Sequence, residues 1–250
     1  MCADELNEIL ASANRVVFFG GAGVSTESGI PDFRSATGLY KTRTGGEYPP
    51  EYMLSHSCWA DHPADFYAFY RANMLHPEAK PNAAHFALAR LEQAGKLTAV
   101  VTQNIDGLHQ MAGSKKVFEL HGSVLRNHCV NCGHSYAAQV IADAPDVPKC
   151  TECGGVIKPD VVLYEEGLDG DVMDGATRAI MAADVLVVGG TSLNVYPAAG
   201  LLQYYRGDQL VLVNKSATSA DGQARLVIHD SVGKVLGEAT DQVLGRAPKA

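Results

Sequence analysis

The sequence predicts an α/β fold: a parallel sheet covered on both faces by helices, with a smaller lobe built from two insertions. Three observations carry this reading. Short apolar runs alternate with helical patterns along most of the chain, two segments near 33–76 and 123–158 break that rhythm, and the second holds two paired cysteines. Alternation of this kind implies a parallel sheet, because each crossover helix covers a sheet face that is itself apolar.

Six runs are short and β-branched enough for buried strands: Val16–Phe19, Leu97–Thr102, Val117–Leu120, Val185–Val188, Leu210–Val213 and Leu226–Ile228. Residues 4–13, 63–75, 82–94, 171–183 and 231–244 repeat apolar positions every three or four residues, and Pro81 with Asn82 suits the start of the third helix. The sheet domain is expected to be discontinuous, over 1–32, 77–122 and 159–250. A helical insertion at 33–76 and a cysteine module at 123–158 then form the small domain. A ligand crevice is expected between the lobes, at the carboxyl ends of the strands.

The 250 residues are 46% apolar, enough for one large domain or one domain with a small insert. Net charge is −8, and no Lys/Arg cluster exceeds the pair Lys115-Lys116, which disfavours nucleic-acid binding. The opening MCADELNEIL is acidic and does not read as an export signal. No apolar run approaches the roughly 20 residues of a membrane span. A soluble, cytoplasmic, monomeric protein is the expectation.

Four of six cysteines form Cys129-x2-Cys132-x17-Cys150-x2-Cys153. Without an export signal, two such knuckles read as one tetrahedral zinc site rather than as disulfides. Cys2 and Cys58 read as a terminal thiol and a small core residue.

The first strand runs into Gly20-Gly21-Ala22-Gly23-Val24-Ser25, a turn whose bare backbone suits a pyrophosphate at a helix start. It departs from the dehydrogenase fingerprint, since Thr26 stands at the third glycine and no acid follows about 20 residues on. Next comes Gly29-Ile-Pro-Asp-Phe-Arg34. Gly29 and Pro31 preclude a helix, so Phe33 and Arg34 sit on an irregular segment as a ring and phosphate cover, or simply as a surface loop with one buried ring.

Further along, Thr102-Gln-Asn-Ile-Asp-Gly-Leu-His109 follows a strand, which sets Gln103, Asn104 and Asp106 in the crevice with groups suited to sugar hydroxyls or an amide. Glu119-Leu-His-Gly122 sets His121 beside it, where an imidazole is either structural or a general base near neutral pH. His109 competes for that role but falls inside the next helical turn. Gly189-Gly-Thr-Ser-Leu193 and Val213-Asn-Lys215 complete the strand ends, suited to phosphate and ribose.

Taken together, Gly21–Ser25, Gly29–Arg34, Thr102–His109, His121-Gly122, the cysteine pairs, and Gly190-Thr-Ser192 with Val195-Tyr-Pro197 resemble the sirtuin family, in order over nearly the whole chain. The resemblance implies a Rossmann-like NAD-binding domain and an NAD-dependent protein lysine deacetylase. It implies that nicotinamide enters a pocket near Ile30, Phe33, Asn104, Ile105 and Asp106, where the acyl-lysine amide oxygen displaces it. His121 is then the general base for the next attack, Asn104 shares the catalytic site, and lysine and an O-acetyl-ADP-ribose are released. NAD contacts are implied at Gly21, Ala22, Gly23, Ser25, Thr26, Asp32, Phe33, Arg34, Gln103, Asn104, Ile105, Asp106, His121, Gly190, Thr191, Ser192, Asn214, Lys215, Asp230 and Ser231. Val162, Leu163, Tyr164 and Tyr67 are implied to meet the acetylated protein or peptide substrate. One structural zinc per chain is implied at Cys129, Cys132, Cys150 and Cys153. Gly20 stands where the family usually has Thr, and Glu165 where it usually has Gly. A mono-ADP-ribosyltransferase, or a deacylase for other acyl groups, is open on the same scaffold. Members of the family that prefer succinyl-lysine carry a Tyr and an Arg three residues apart in the small-lobe helix; here Tyr67 is in place but Tyr70 takes the Arg position and Arg71 falls one residue late, so the resemblance implies a preference for acetyl-lysine.

Overall fold

The computed structural model describes residues 2–33, 38–42 and 48–245. Helix α1 (Cys2–Ser12) leads into β1 (Val16–Gly20), every residue of which is buried. Val16 and Phe18 join the core on one face of the sheet, while Val17 and Phe19 join the core on the other. This is the two-residue alternation of extended chain, and it makes a strand buried on both faces read as an unbroken apolar run. Each Phe contributes about 1.5–3 kcal/mol through burial.

Two short 3-10 turns, Ala22–Val24 and Thr26–Ser28, follow β1. The first insertion then supplies α2 (Leu39–Thr42), α3 (Pro50–Met53), α4 (His56–Asp61) and α5 (Pro63–Asn73). The chain returns through α6 (Ala83–Gln93), β2 (Leu97–Thr102), α7 (Leu108–Ala112) and β3 (Val117–Glu119). As Pro81 and Asn82 suggest, Asn82 caps α6: its side chain accepts from Ala84 N at 2.9 Å, and its own N–H donates to His85 Nδ1 at 3.2 Å. Its side-chain amide donates to the Val24 carbonyl at 2.8 Å, which ties this cap to the glycine turn.

The second insertion holds β4 (Gly122–Cys129), β5 (Ser135–Ala137), α8 (Ala138–Asp143) and β6 (Ile157–Val161). After it come α9 (Gly170–Ala182), β7 (Val185–Gly189), β8 (Gln209–Val213), β9 (Leu226–Ile228) and α10 (Val232–Leu244). The large sheet is parallel in the order β3-β2-β1-β7-β8-β9. Residues of α1, α6 and α10 pack on one face, and α9 with the 3-10 stretch Ala198–Tyr204 on the other. Strand order reverses between β1 and β7, and a crevice opens beyond their carboxyl ends at such a switch point.

β4, β5 and β6 form a separate antiparallel sheet in the order β5-β4-β6. Both insertions feed one apolar core: Leu54, Cys58, Phe66, Tyr67 and Tyr70 from the first meet Val124, Ile141 and Ile157 from the second. That shared core makes them one lobe. The division drawn at 158/159 from sequence falls inside β6, whose register with β4 runs on to Val161.

Candidate functional site

Gly20 ends β1 and pairs with Gly189, which ends β7, so the glycine turn begins at the switch point itself. Its glycines serve contact between strand ends more than an open approach by a ligand. A Cβ on Gly21 would lie 2.8 Å from Thr191 Cβ, and one on Gly23 would lie 2.8 Å from Gly190 Cα. Gly23 N–H donates to the Gly190 carbonyl at 2.8 Å, and Gly190 sits at φ +61°, a conformation that favours glycine.

Ser25, from the glycine turn, then meets three residues of the Thr102–His109 run in a bonded chain. The Ser25 hydroxyl donates to Asp106 Oδ2 at 2.6 Å and accepts from the Asn104 side-chain amide at 3.0 Å. Asp106 Oδ1 accepts from Leu108 N–H at 2.9 Å, and the buried Thr102 hydroxyl accepts from Asn104 N–H at 3.0 Å. Gln103 bridges the switch point, with its N–H on the Gly20 carbonyl at 3.0 Å and its side-chain amide on Thr191 Oγ1 at 3.0 Å. Hydroxyls, an amide and a carboxylate fixed at strand ends form a donor and acceptor set that fits ribose hydroxyls and a carboxamide, as NAD requires.

His121 Nδ1 is 3.0 Å from the Gln103 carbonyl oxygen. A carbonyl only accepts, so Nδ1 carries the proton and Nε2 keeps its lone pair in the neutral ring. Burial pushes the His121 pKa below its ordinary value, opposed in part by that bond. His109 is different. It is fully buried in α7, burial takes its pKa down to about 3, and neither ring nitrogen has a partner among the described residues. It is a core residue beside His85, with ring centroids 4.7 Å apart.

Thr26 turns its hydroxyl to the Gly23 carbonyl at 3.0 Å. Ala22 lies in the first 3-10 turn, and Ser192 follows Thr191 beyond β7. Gly29 at φ +83° ends the second turn, and the chain from 30 to 33 is irregular, as Gly29 and Pro31 imply. Asp32 and Phe33 accept from Leu39 and Tyr40 N–H at 2.8 and 3.0 Å, and the Phe33 ring meets Tyr40 edge-on at 5.4 Å. Phe33 and Ile105 both pack on the small-lobe core, at its border with the crevice. Arg34 lies outside the described residues.

Asn214, Lys215, Asp230 and Ser231 lie on the other wing, past the ends of β8 and β9. The Asn214 side-chain amide donates to the Ser216 carbonyl at 2.8 Å, and Asp230 accepts from Lys234 Nζ at 2.6 Å and Ser231 N–H at 2.8 Å. Glu27 escaped the sequence reading. Its carboxylate accepts from Gly233 N–H at 3.1 Å, joining the glycine turn to the start of α10. An acid at a helix start is favoured by the helix dipole, but no local pattern links residues 206 apart.

The segment after β6 joins the two lobes. Val162 N–H donates to the His121 carbonyl at 3.0 Å. Tyr164 N–H donates to the Leu54 carbonyl and its carbonyl accepts from His56 N–H, both at 3.0 Å, while Leu163 is buried. Glu165 takes φ +76°, which accounts for glycine being usual there in the sirtuins this chain resembles. Here its carboxylate accepts from the Ser57 N–H at 2.9 Å and hydroxyl at 2.7 Å, anchoring the segment to α4.

Tyr67 is not a surface of the acyl site. It is fully buried in the small-lobe core, its hydroxyl donates to the Ile157 carbonyl at 2.6 Å and accepts from Trp59 Nε1 at 3.0 Å, and burial raises its pKa to about 12. Tyr70 is equally buried and stacks on Phe66, and Arg71 Nη1 donates to the Asp146 carbonyl at 3.0 Å.

The four knuckle cysteines are free thiols whose sulfurs all lie within 4.8 Å of one another. Cys129 and Cys153 sulfurs are 3.4 Å apart, and those of Cys132 and Cys150 are 3.6 Å apart. Tetrahedral zinc with bonds of about 2.3 Å needs sulfurs roughly 3.8 Å apart, so the cluster fits it. The Tyr136 hydroxyl donates to Cys150 Sγ at 3.1 Å, an outer contact that steadies a ligand thiolate.

Comparison with known proteins agrees with this geometry. The Sir2 family model matches residues 21–197. An NAD-dependent protein deacetylase of Clostridium perfringens is 61% identical over 239 residues, covering 95% of this chain and 98% of that one. One from Cutibacterium acnes is 57% identical over 244 residues, covering 98% and 100%. Among solved structures, a Sir2 variant with deacetylated p53 peptide and 3'-O-acetyl ADP-ribose is 38% identical, with TM-score 0.89 and coverage of 99% and 100%. A complex of a Sir2 homologue with NAD is 36% identical, with TM-score 0.86 and coverage of 96% and 93%. With its glycine turn, bonded strand ends and four-sulfur cluster in one frame, this chain belongs to the Sir2 family.

Proposed function

We propose that this chain removes acetyl groups from lysine side chains of proteins, with NAD as co-substrate. The observation that carries this reading is the neutral His121, its Nδ1 fixed on the Gln103 carbonyl and its Nε2 left as a base beside the Ser25–Asn104–Asp106 chain. NAD supplies the electrophilic anomeric carbon and the nicotinamide leaving group. Asn104 and Asp106 orient the carboxamide and ribose, and Ser25 holds both side chains in register. His121 takes a proton from a ribose hydroxyl, which suits an imidazole kept neutral near pH 7. Phe33 helps to exclude water from the crevice.

Val162, Leu163 and Tyr164 offer the extended segment along which an acetylated peptide lies. Cys129, Cys132, Cys150 and Cys153 hold one zinc with four thiolates, which leaves no position for water and makes the metal structural. Reduced thiols suit a cytoplasmic enzyme, and a single chain contains every group named. Relatives named as deacetylases at up to 61% identity support this chemistry. Mass spectrometry of products from NAD and an acetyl-lysine peptide tests it. Nicotinamide, O-acetyl-ADP-ribose and free lysine are expected together; stable ADP-ribosylation of protein without deacetylation would overturn the reading.

A further inference from the structure

The segment after β6 is stitched to the first insertion on either side of Glu165. Ser55 and Tyr164 form a parallel bridge, with Tyr164 N–H on the Leu54 carbonyl and His56 N–H on the Tyr164 carbonyl, both at 3.0 Å. Glu166 supplies the next hold: its carboxylate accepts from Leu163 N–H at 2.9 Å and Lys158 Nζ at 3.1 Å, and its N–H donates to the Leu163 carbonyl at 3.1 Å. Glu165 lies between these holds. Among the described residues, no hydrogen bond uses the N–H or C=O of Glu165, or the C=O of Val162. These are backbone groups with which an extended peptide can pair.

Glu165 takes φ +76°, a left-handed conformation that is costly for a residue with a Cβ and persists only where the surroundings impose it. Its side chain supplies the hold that its backbone lacks. Glu165 Oε2 accepts from the Ser57 N–H at 2.9 Å and from the Ser57 hydroxyl at 2.7 Å, in the first turn of α4. Those two bonds keep the carboxyl below its ordinary pKa, so near neutral pH the anchor is charged.

We propose that Glu165 is a positioning residue for the peptide: through Ser57 it keeps the backbone at 165 left-handed, so that the open groups of Val162 and Glu165 stand ready before substrate arrives. This role rests on the deacetylase reading, with the peptide lying along 162–164. Preorganisation of this kind acts on peptide binding and leaves the chemical step alone.

Fluorescence anisotropy with an acetyl-lysine peptide flanked by Ala and Gly tests this, alongside kcat and KM on the same peptide and on one flanked by Arg. Glu165→Ala loses the anchor and keeps a Cβ, so Kd and KM should rise about tenfold on both peptides, the scale of left-handed strain at one residue, with kcat within about twofold. Glu165→Gly loses the anchor without the strain, and should bind only about threefold more weakly than the parent. Ser57→Ala should weaken binding by itself, yet change it by less than about twofold on top of Glu165→Ala, since the two residues act through one contact. Glu165 is exposed, so neither of its substitutions opens a core cavity. Equal losses in Glu165→Ala and Glu165→Gly, a loss confined to the Arg-flanked peptide, or a fall in kcat with Kd intact would overturn the proposal. A parent that neither binds nor deacetylates the peptide would overturn the deacetylase reading as well; a working parent with the same Kd in Glu165→Ala would overturn this role alone.

Discussion

His121 Nδ1 and the Gln103 carbonyl oxygen lie 3.0 Å apart, and this one bond decides which ring nitrogen can act as a base. It also shapes the pH dependence. Burial lowers the His121 pKa, so the imidazole stays neutral to below the ordinary value of 6.5. Activity requires the neutral form, so it is lost as pH falls through the lowered pKa and not before. In a profile of kcat/KM from pH 5 to 8, the acid limb is expected below pH 6.5. A midpoint above that value would show that His121 is stabilised as a cation.

The zinc cluster makes a stability claim. Its sulfurs come from the end of β4, the turn after it and the segment before β6, so a zinc bound there would close the small antiparallel sheet. Metal analysis should find one zinc per chain, and Cys129→Ser should lose it together with the amide-exchange protection of β4 and β6. Folded, active, metal-free protein would refute this.

Much of this was legible in the sequence, and the reasons are local. Strands β1, β2, β7 and β8 carry buried apolar runs, and Asn82 is a cap whose chemistry needs only its neighbours. The small sheet was not legible strand by strand. β4 pairs with β6 through a register shift between Ser123 and Asn127, and β5 has three residues, so no alternation survives. Tyr67 misled for a related reason. A motif position names a residue, but burial of its hydroxyl on the Ile157 carbonyl is set by contact across 90 residues. Glu27 and Gly233 are equally remote partners.

Acyl preference follows from where α5 turns its side chains. Tyr70 is buried against Phe66, and Arg71 is held on the Asp146 carbonyl, so neither offers a cation to a succinyl carboxylate. On one peptide, kcat/KM for acetyl-lysine should exceed that for succinyl-lysine by about tenfold or more, the scale of one missing charge-assisted bond. A succinyl preference that disappears in Arg71→Met would contradict this.

The buried His109 predicts acid sensitivity. Its folded pKa of about 3 lies below the ordinary 6.5, so the unfolded chain binds a proton that the folded chain does not. Stability from this residue is complete above pH 6.5 and declines as pH falls toward 3. The decline is about 1.4 kcal/mol per pH unit for one proton. Urea unfolding between pH 5 and 6.5 should therefore be less pH-dependent in His109→Leu by about one proton; an unchanged slope would show that His109 is protonated in the fold.

We propose His121 as the base, a role whose loss costs turnover far more than NAD affinity. It is tested most directly by measuring NAD affinity and turnover together in His121→Ala. The expected result is NAD binding within a few-fold of the parent and turnover on an acetyl-lysine peptide lower by about 100-fold or more. Loss of NAD affinity with normal turnover at saturation would contradict it.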